Sequence, residues 1–343
     1  MKNRPTMQTI ADVAGVSKNT VSCALRNKSH ISKQTRARIR QIADELGYRP
    51  NPMISAFMQS IRQNHPPAKT SNLAWIHDLS EPDEWRERNF YKQLHGGAKQ
   101  QSHAQGYNLI PAWYGEPGMT GAQLSRILRN QGVDGIVVAP LSSNKTMETI
   151  QWEWFAASSM GFTLKSPLLH RAATFFHHTI PKAVEKLHEH RYKRVGILLC
   201  KSADIRSEYS LQSGCVIAQK RFSETDHSIP VLERQTLTPV QVKSWITAKK
   251  LDAVVDAGFN LTRHFLEQIN IPIPGKLGVV SITSDFDDFW QATIQRDWKG
   301  IGSAAVDLVV NQLQNNQRGI PSKSKTVLIE AEWVSGKTVR AIE

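Results

Sequence analysis

From residue 73 onward, short apolar runs alternate with segments of helical period, and this alternation constrains the fold more than any other feature. The runs are LAWIH (73–77), NLIPAW (108–113), GIVVAP (135–140), RVGILLC (194–200), DAVV (252–255) and LGVVSIT (277–283). Segments with helical spacing lie between them at 90–105, 120–131, 179–191, 239–249 and 301–314. Strands this continuously apolar have no wet face, and strands separated by helices pair in parallel, so sheets with helices on both faces are predicted. About 270 residues exceed what one such sheet usually holds, which predicts two α/β lobes. Ligands of open parallel sheets sit beyond the carboxyl ends of the strands. Two lobes therefore suggest a cleft between them.

Residues 1–65 differ in character. They hold 11 Lys+Arg against 3 Asp+Glu, whereas the other 278 residues hold 32 against 27. A compact basic head on a nearly balanced body fits a polyanion, most often nucleic acid. The alternative at this level is a solvated basic surface. Spacing predicts three short helices over 6–14, 17–26 and 32–46. Thr6 can cap the first, with Met7, Ile10, Ala11 and Ala14 on its apolar side. Gly15 follows where a chain leaving a helix often needs positive φ. Val16 plugs the turn, Ser17 can cap the second helix, and Val21, Ala24 and Leu25 face inward. This is a helix-turn-helix layout, whose second helix presents its first residues to base edges in the major groove. Outward positions on that helix are Lys18, Asn19, Ser22 and Cys23. Lys18 suits guanine O6 and N7, and Asn19 suits adenine N6 and N7. Thr9, Ser32 and Thr35 are better placed for phosphates, which set register without reading sequence.

The stretch TIADVAGVSKNTVSCALRNKSHISKQTRARIRQIADELGYRPNP (9–52) resembles the head of the LacI/GalR family of bacterial transcription regulators. The hallmarks are IADVAGVSKNTVS, the HIS…TR opening of the third helix, and ELGYRPN. Looser matches continue in family order: GGAKQQSHAQGYNLI, QGVDGIVVAP, KLHEHRYKRVGILL, INIPIPGKLGVVSI and IGSAAVDLVVNQL. The resemblance implies an all-α helix-turn-helix head (1–50), a hinge helix and linker (51–70), and a two-lobed periplasmic-binding-protein-like core (71–343). It also implies a homodimer on a palindromic operator. To the DNA-contacting candidates it adds Ser17, Thr20, Asn27, His30, Arg36, Tyr48, Asn51 and Ile54. Cys23 stands where the family usually has arginine, and a thiol is only a weak donor. In the family's hinge a leucine wedges into the minor groove; Phe57 occupies that position here. Phe57 can serve as such a wedge, or the hinge can pack its apolar side on the core.

For the core, the resemblance implies a small-molecule effector in the cleft, of sugar type. The matching loop positions are His77, Asp78, Phe90, Tyr91, Pro140, Leu141, His177, Arg206, Asp285 and Trp290. Trp85 and Trp113 are further candidate platforms for a sugar face, although most tryptophans are core residues. Gly258 and Phe259 replace the family's Asn-Asp pair, so a regulator whose core only dimerises stays open. A solute-binding protein and a sugar-active enzyme are the remoter alternatives. The chain has no G-x-S-x-G, P-loop or H-E-x-x-H motif, which argues against an enzyme. No cofactor or metal is expected: Cys23, Cys200 and Cys215 are too scattered for a zinc site, and DFDD (285–288) lacks the further oxygens and turn glycine of a calcium loop. There is no apolar signal region and no apolar stretch near the ~20 residues of a membrane span, so a cytoplasmic protein is expected.

Overall fold

A computed structural model of the chain describes residues 5–25, 31–48, 71–222, 228–282 and 290–341. The head holds three helices: α1 (Met7–Ala14), α2 (Lys18–Leu25) and α3 (Lys33–Glu45). Thr6 and Thr9 form a reciprocal cap at the start of α1, each hydroxyl accepting from the other's backbone N–H at 3.1–3.2 Å. Gly15 ends α1 at φ 63°, a region in which a side chain is strained. Ile10, Ala11, Ala14, Val21, Ala24, Ile39 and Ala43 are buried together, with Val16 and Tyr48 packed against them. The small residues Ala11, Ala14 and Ala24 keep side-chain bulk out of this core. Arg38 on α3 ties the bundle by donating to the Ala14 carbonyl at 3.2 Å.

The remaining elements, in chain order, are β1 (Ser71–His77), α4 (Asn89–Ala104), β2 (Tyr107–Trp113), α5 (Gly121–Asn130), β3 (Val133–Val138), β4 (Lys145–Thr146), β5 (Ala156–Met160), β6 (Leu164–Ser166) and β7 (His170–Thr174). Then come α6 (Phe176–Glu189), β8 (Val195–Cys200), α7 (Lys201–Arg206), α8 (Ser210–Phe222), β9 (Val231–Arg234), α9 (Pro239–Lys249), β10 (Ala253–Ala257), α10 (Arg263–Ile269) and β11 (Gly278–Ser281). The last are β12 (Ala292–Arg296), α11 (Trp298–Gln314), β13 (Thr326–Ile329) and β14 (Ala331–Val334). Two six-stranded sheets result, ordered β13-β7-β5-β3-β1-β2 and β14-β12-β11-β10-β8-β9, all parallel except the β12–β14 pair. Each is the centre of one lobe. The chain crosses between lobes at 174–176, 296–298 and 329–331, and two crossings are tied by the Phe175 N–H donating to the Ile329 carbonyl at 2.9 Å.

Alternation within strands explains the continuous apolar runs. Leu73 and Trp75 of β1 pack on the α4/α11 side, while Ala74 and Ile76 pack on the α5 side. Likewise Ile197 and Leu199 of β8 face α6 and α8, and Leu198 faces α9 and α10. Both faces are covered, so no position in these strands needs to be polar.

Six strands that the sequence pattern misses complete the sheets: β5 (AASSM), β7 (HRAAT), β9 (VLER), β12, β13 and β14. Their small or polar residues mask the signal. Ser158 of β5 is fully buried and donates to the Ala305 carbonyl of α11 at 2.7 Å, so a serine fills a core position. Helix α6 begins at 176 rather than 179 and accommodates Pro181 in its second turn. Among the described residues no helix is long and apolar enough to cross a membrane.

Candidate DNA-reading head and effector cleft

In the head, Ser17 Oγ accepts from the Thr20 N–H at 3.0 Å and so satisfies one open donor at the start of α2. Immediately behind this cap, Lys18 and Asn19 are exposed, whereas Thr20, Ser22 and Cys23 are half-buried. The Cys23 thiol lies one turn beyond Asn19 and donates to its Oδ1 at 3.9 Å, which puts both on one stripe. Ser32 caps α3 by accepting from the Thr35 N–H at 3.1 Å, and the two hydroxyls bond at 2.8 Å. Thr9 is exposed but committed to the α1 cap; Arg36 and Tyr48 are half-buried, and Tyr48 packs on the head core. Asn27, His30, Asn51, Ile54, Phe57 and Asp285 lie outside the described residues.

Between the lobes lies a cavity of about 280 Å³. Phe90, Phe162, Phe176 and Trp298 form its aromatic walls, Pro140 and Met160 add aliphatic surface, and Arg206 and Arg296 bring charge. Arg206 also spans the lobes, donating from Nη1 to the Ser142 carbonyl at 2.7 Å and from Nη2 to the Leu141 carbonyl at 3.1 Å. A second tie joins Lys165 of β6 to Glu208 at 2.9 Å.

Of the cleft candidates read from sequence, Phe90, Pro140 and Arg206 line the cavity. The other described candidates sit elsewhere. His77 is buried against Trp75, ring centroids 5.5 Å apart, and burial lowers its pKa. Asp78 fastens the loop after β3: its carboxylate accepts from the Ser142 N–H and Oγ–H, both at 2.8 Å, and pairs with Lys145 at 2.5 Å. Tyr91 is buried, its hydroxyl donating to the Pro140 carbonyl, and burial pushes its pKa up. His177 is half-buried near Phe175, while Trp290 packs on the outer core of the second lobe beneath the Arg263 guanidinium. Trp85 is a core residue, and the Trp113 indole donates to the Leu79 carbonyl at 2.8 Å. Phe162, Arg296 and Trp298 were not read from the sequence, whereas Phe176 lies in the stretch FFHHT (175–179), whose residues suggest ligand contact. All four lie at or just after the ends of strands β5, β7 and β12, whose own signal is weak. Among the described residues no group of three or more His, Cys, Asp or Glu is placed to hold a metal.

Residues 6–51 match the model for bacterial regulatory proteins of the lacI family. By that match the chain carries a head of the lacI type. It is 34% identical over 135 residues to the maltose regulon regulatory protein MalI of Escherichia coli K12, a match that covers 39% of this chain and 35% of the relative. The chain thus spans about a third of that relative's length. Among solved structures, the CelR–cellobiose complex superposes with a TM-score of 0.56 at 17% identity, covering 98% of this chain and 100% of that one. The lac repressor dimer bound to operator and an anti-inducer gives 0.56 at 15% identity, covering 99% and 100%. These likenesses carry the fold: a LacI-type head and a periplasmic-binding-protein-like core.

Proposed function

We propose that this chain is a sequence-specific transcription regulator of repressor type, in which two copies bind a palindromic operator and a small molecule in the interlobe cleft modulates binding. It is a regulator rather than an enzyme, and it works in the cytoplasm. The division of labour follows the chain: 1–50 reads DNA, 51–70 is the hinge, and 71–343 binds effector and dimerises. One observation carries the reading. A capped helix of a helix-turn-helix presents Lys18 and Asn19 to solvent at its first turn, where such helices meet base edges. Cys23 follows on the same stripe in place of a longer donor, which favours an operator with weaker polar readout at that step. A two-fold dimer mirrors two-fold DNA, hence the palindrome.

Coupling to the cleft is mechanical. Arg206 and the Lys165–Glu208 pair join the lobes beside the cavity, so a ligand that favours one lobe arrangement shifts these ties. It affects DNA binding only if it binds the two arrangements unequally. A carbohydrate-like effector is supported by the CelR–cellobiose likeness. The experiment is Asn19→Ala measured on a preferred duplex and on random DNA. Loss of a base contact should weaken preferred binding by ~1–3 kcal/mol and leave random DNA unaffected. Equal loss on both would reassign Asn19 to phosphate contact and remove the main support for the reading.

A further inference from the structure

The cleft's wall chemistry is one-sided. A neutral sugar presents hydroxyls that are typically met by carboxylates and amides in paired hydrogen bonds. Among the described residues lining this cavity there is no Asp, Glu, Asn or Gln. Its charged groups are Arg206 and Arg296, and its other polar side chains are the hydroxyls of Thr163, Thr174 and Ser207. Two of those hydroxyls are already engaged: Thr163 Oγ1 accepts from the Leu141 N–H at 2.7 Å, and Ser207 Oγ donates to the Asp204 carbonyl at 2.9 Å.

Positive charge accumulates around the same walls. Arg296 lies 4.2 Å from the Trp298 ring centroid and 5.8 Å from that of Phe176. Arg171, buried, lies over Phe162 at 5.2 Å, and Glu208, 3.8 Å from it, is shared with Lys165. Helix α6 opens at the cavity with Phe176 and has no side-chain cap, so its partial positive charge adds to the field. Arg206 is held in place by two carbonyls, and among the described residues three of its five N–H donors have no further partner. A fixed planar guanidinium suits a carboxylate or phosphate in paired geometry.

We propose that the ligand of this cleft is an anion: a small carboxylate or phosphate with one apolar face. Its charged group meets Arg206, and its body lies against Phe90, Phe162, Phe176 and Trp298. The inference rests on the cleft being the effector site. At about 280 Å³ the cavity is at or below the small end of ligand pockets, which limits the guest to a single ring with its acid group. Acidic sugars and aryl carboxylates share this chemistry.

The test is calorimetric titration of the full chain with matched pairs: glucuronate against glucose, glucose 6-phosphate against glucose, and phenylacetate against 2-phenylethanol. The charged member of at least one pair should bind ten-fold or more tightly than its neutral partner, and the pair that responds distinguishes sugar acid, sugar phosphate and aryl acid. R206Q should remove most of that preference, and R206K should restore part of it. The paired comparison on the unaltered chain needs no variant to fold. A neutral partner that binds as well as its anion would overturn the anion inference and leave the effector reading standing. Binding by none of the compounds, with operator affinity unchanged by all of them, would overturn both.

Discussion

Acidification should loosen the first lobe through one histidine. His95 on α4 is buried, with its ring centroid 4.3 Å from that of Trp85 and 5.1 Å from that of Trp75. Among the described residues its Nε2 has no hydrogen-bond partner. Burial, with smaller contributions from Lys99, Arg86 and His77, lowers the His95 pKa from 6.5 to about 4. Charging a ring in this aromatic packet is unfavourable because the ring is removed from water and its Nε2 meets no acceptor among the described residues. The unfolded chain takes up the proton near pH 6.5 and the folded chain only near pH 4. Stability from the neutral ring is therefore complete above pH 6.5 and is lost as the pH falls toward 4. A shift of this size corresponds to roughly 2 kcal/mol lost by pH 5 and roughly 3 kcal/mol by pH 4. His77 is shifted in the same direction and adds to the loss. The assay is urea unfolding, followed by tryptophan fluorescence, of the unaltered chain and His95→Phe at half-unit steps from pH 7.5 to 4.5. Phenylalanine keeps a ring in the packet and removes the proton. The unaltered chain should lose about 2 kcal/mol more than the variant between pH 7 and 5. Parallel curves would refute the claim that His95 is held neutral by burial.

Other expectations concern packing, a second buried acid and the hinge. At the α4–α11 crossing a Cβ on Gly302 would stand 2.1 Å from the Leu94 carbonyl oxygen, so Gly302→Ala should cost ~1–3 kcal/mol or more; an unchanged thermal midpoint would contradict the close crossing. Asp256 is fully buried and accepts from the Phe259 and Leu261 N–H groups at 2.9 and 2.8 Å, yet burial outweighs those bonds and raises its pKa to about 6. Its contribution is complete below about pH 4 and is lost as pH rises through 6, so the stability of the unaltered chain relative to Asp256→Asn should fall by about 2–3 kcal/mol from pH 4 to 7; a pH-independent difference would count against it. Phe57→Ala should reduce the bend of bound operator, read by circular-permutation mobility, if the ring wedges between base steps; an unchanged bend angle would return the hinge to a packing role.

How far the sequence reveals this molecule depends on whether the determining contacts are local. The head is legible because Thr6, Gly15, Val16 and Ser17 act within a few residues of their partners. Strands β1, β3 and β8 are legible because both faces are buried in hydrocarbon. Strand β5 is not, because Ser158 satisfies its hydroxyl on a helix 147 residues away. The cleft shows the same divide. Position after a strand identifies the correct end of the sheet but not the facing side. His77 alternates onto the Trp75 side, and Tyr91 turns inward to the Pro140 carbonyl, while Phe90 beside it lines the cavity. Phe162, Arg296 and Trp298 gather only through the crossings between lobes, and no local spacing announces that meeting.

In the proposed function the exposed first turn of α2 reads DNA from a dimer. The measurement that tests it most directly is selection of duplexes bound by the full chain from a random library at physiological salt. Two inverted half-sites about one helical turn apart should be enriched, with the base preference at one position of each half-site relaxed when Asn19 is changed to alanine. Binding that is salt-sensitive but enriches no sequence, with and without the charged ligands above, would contradict it.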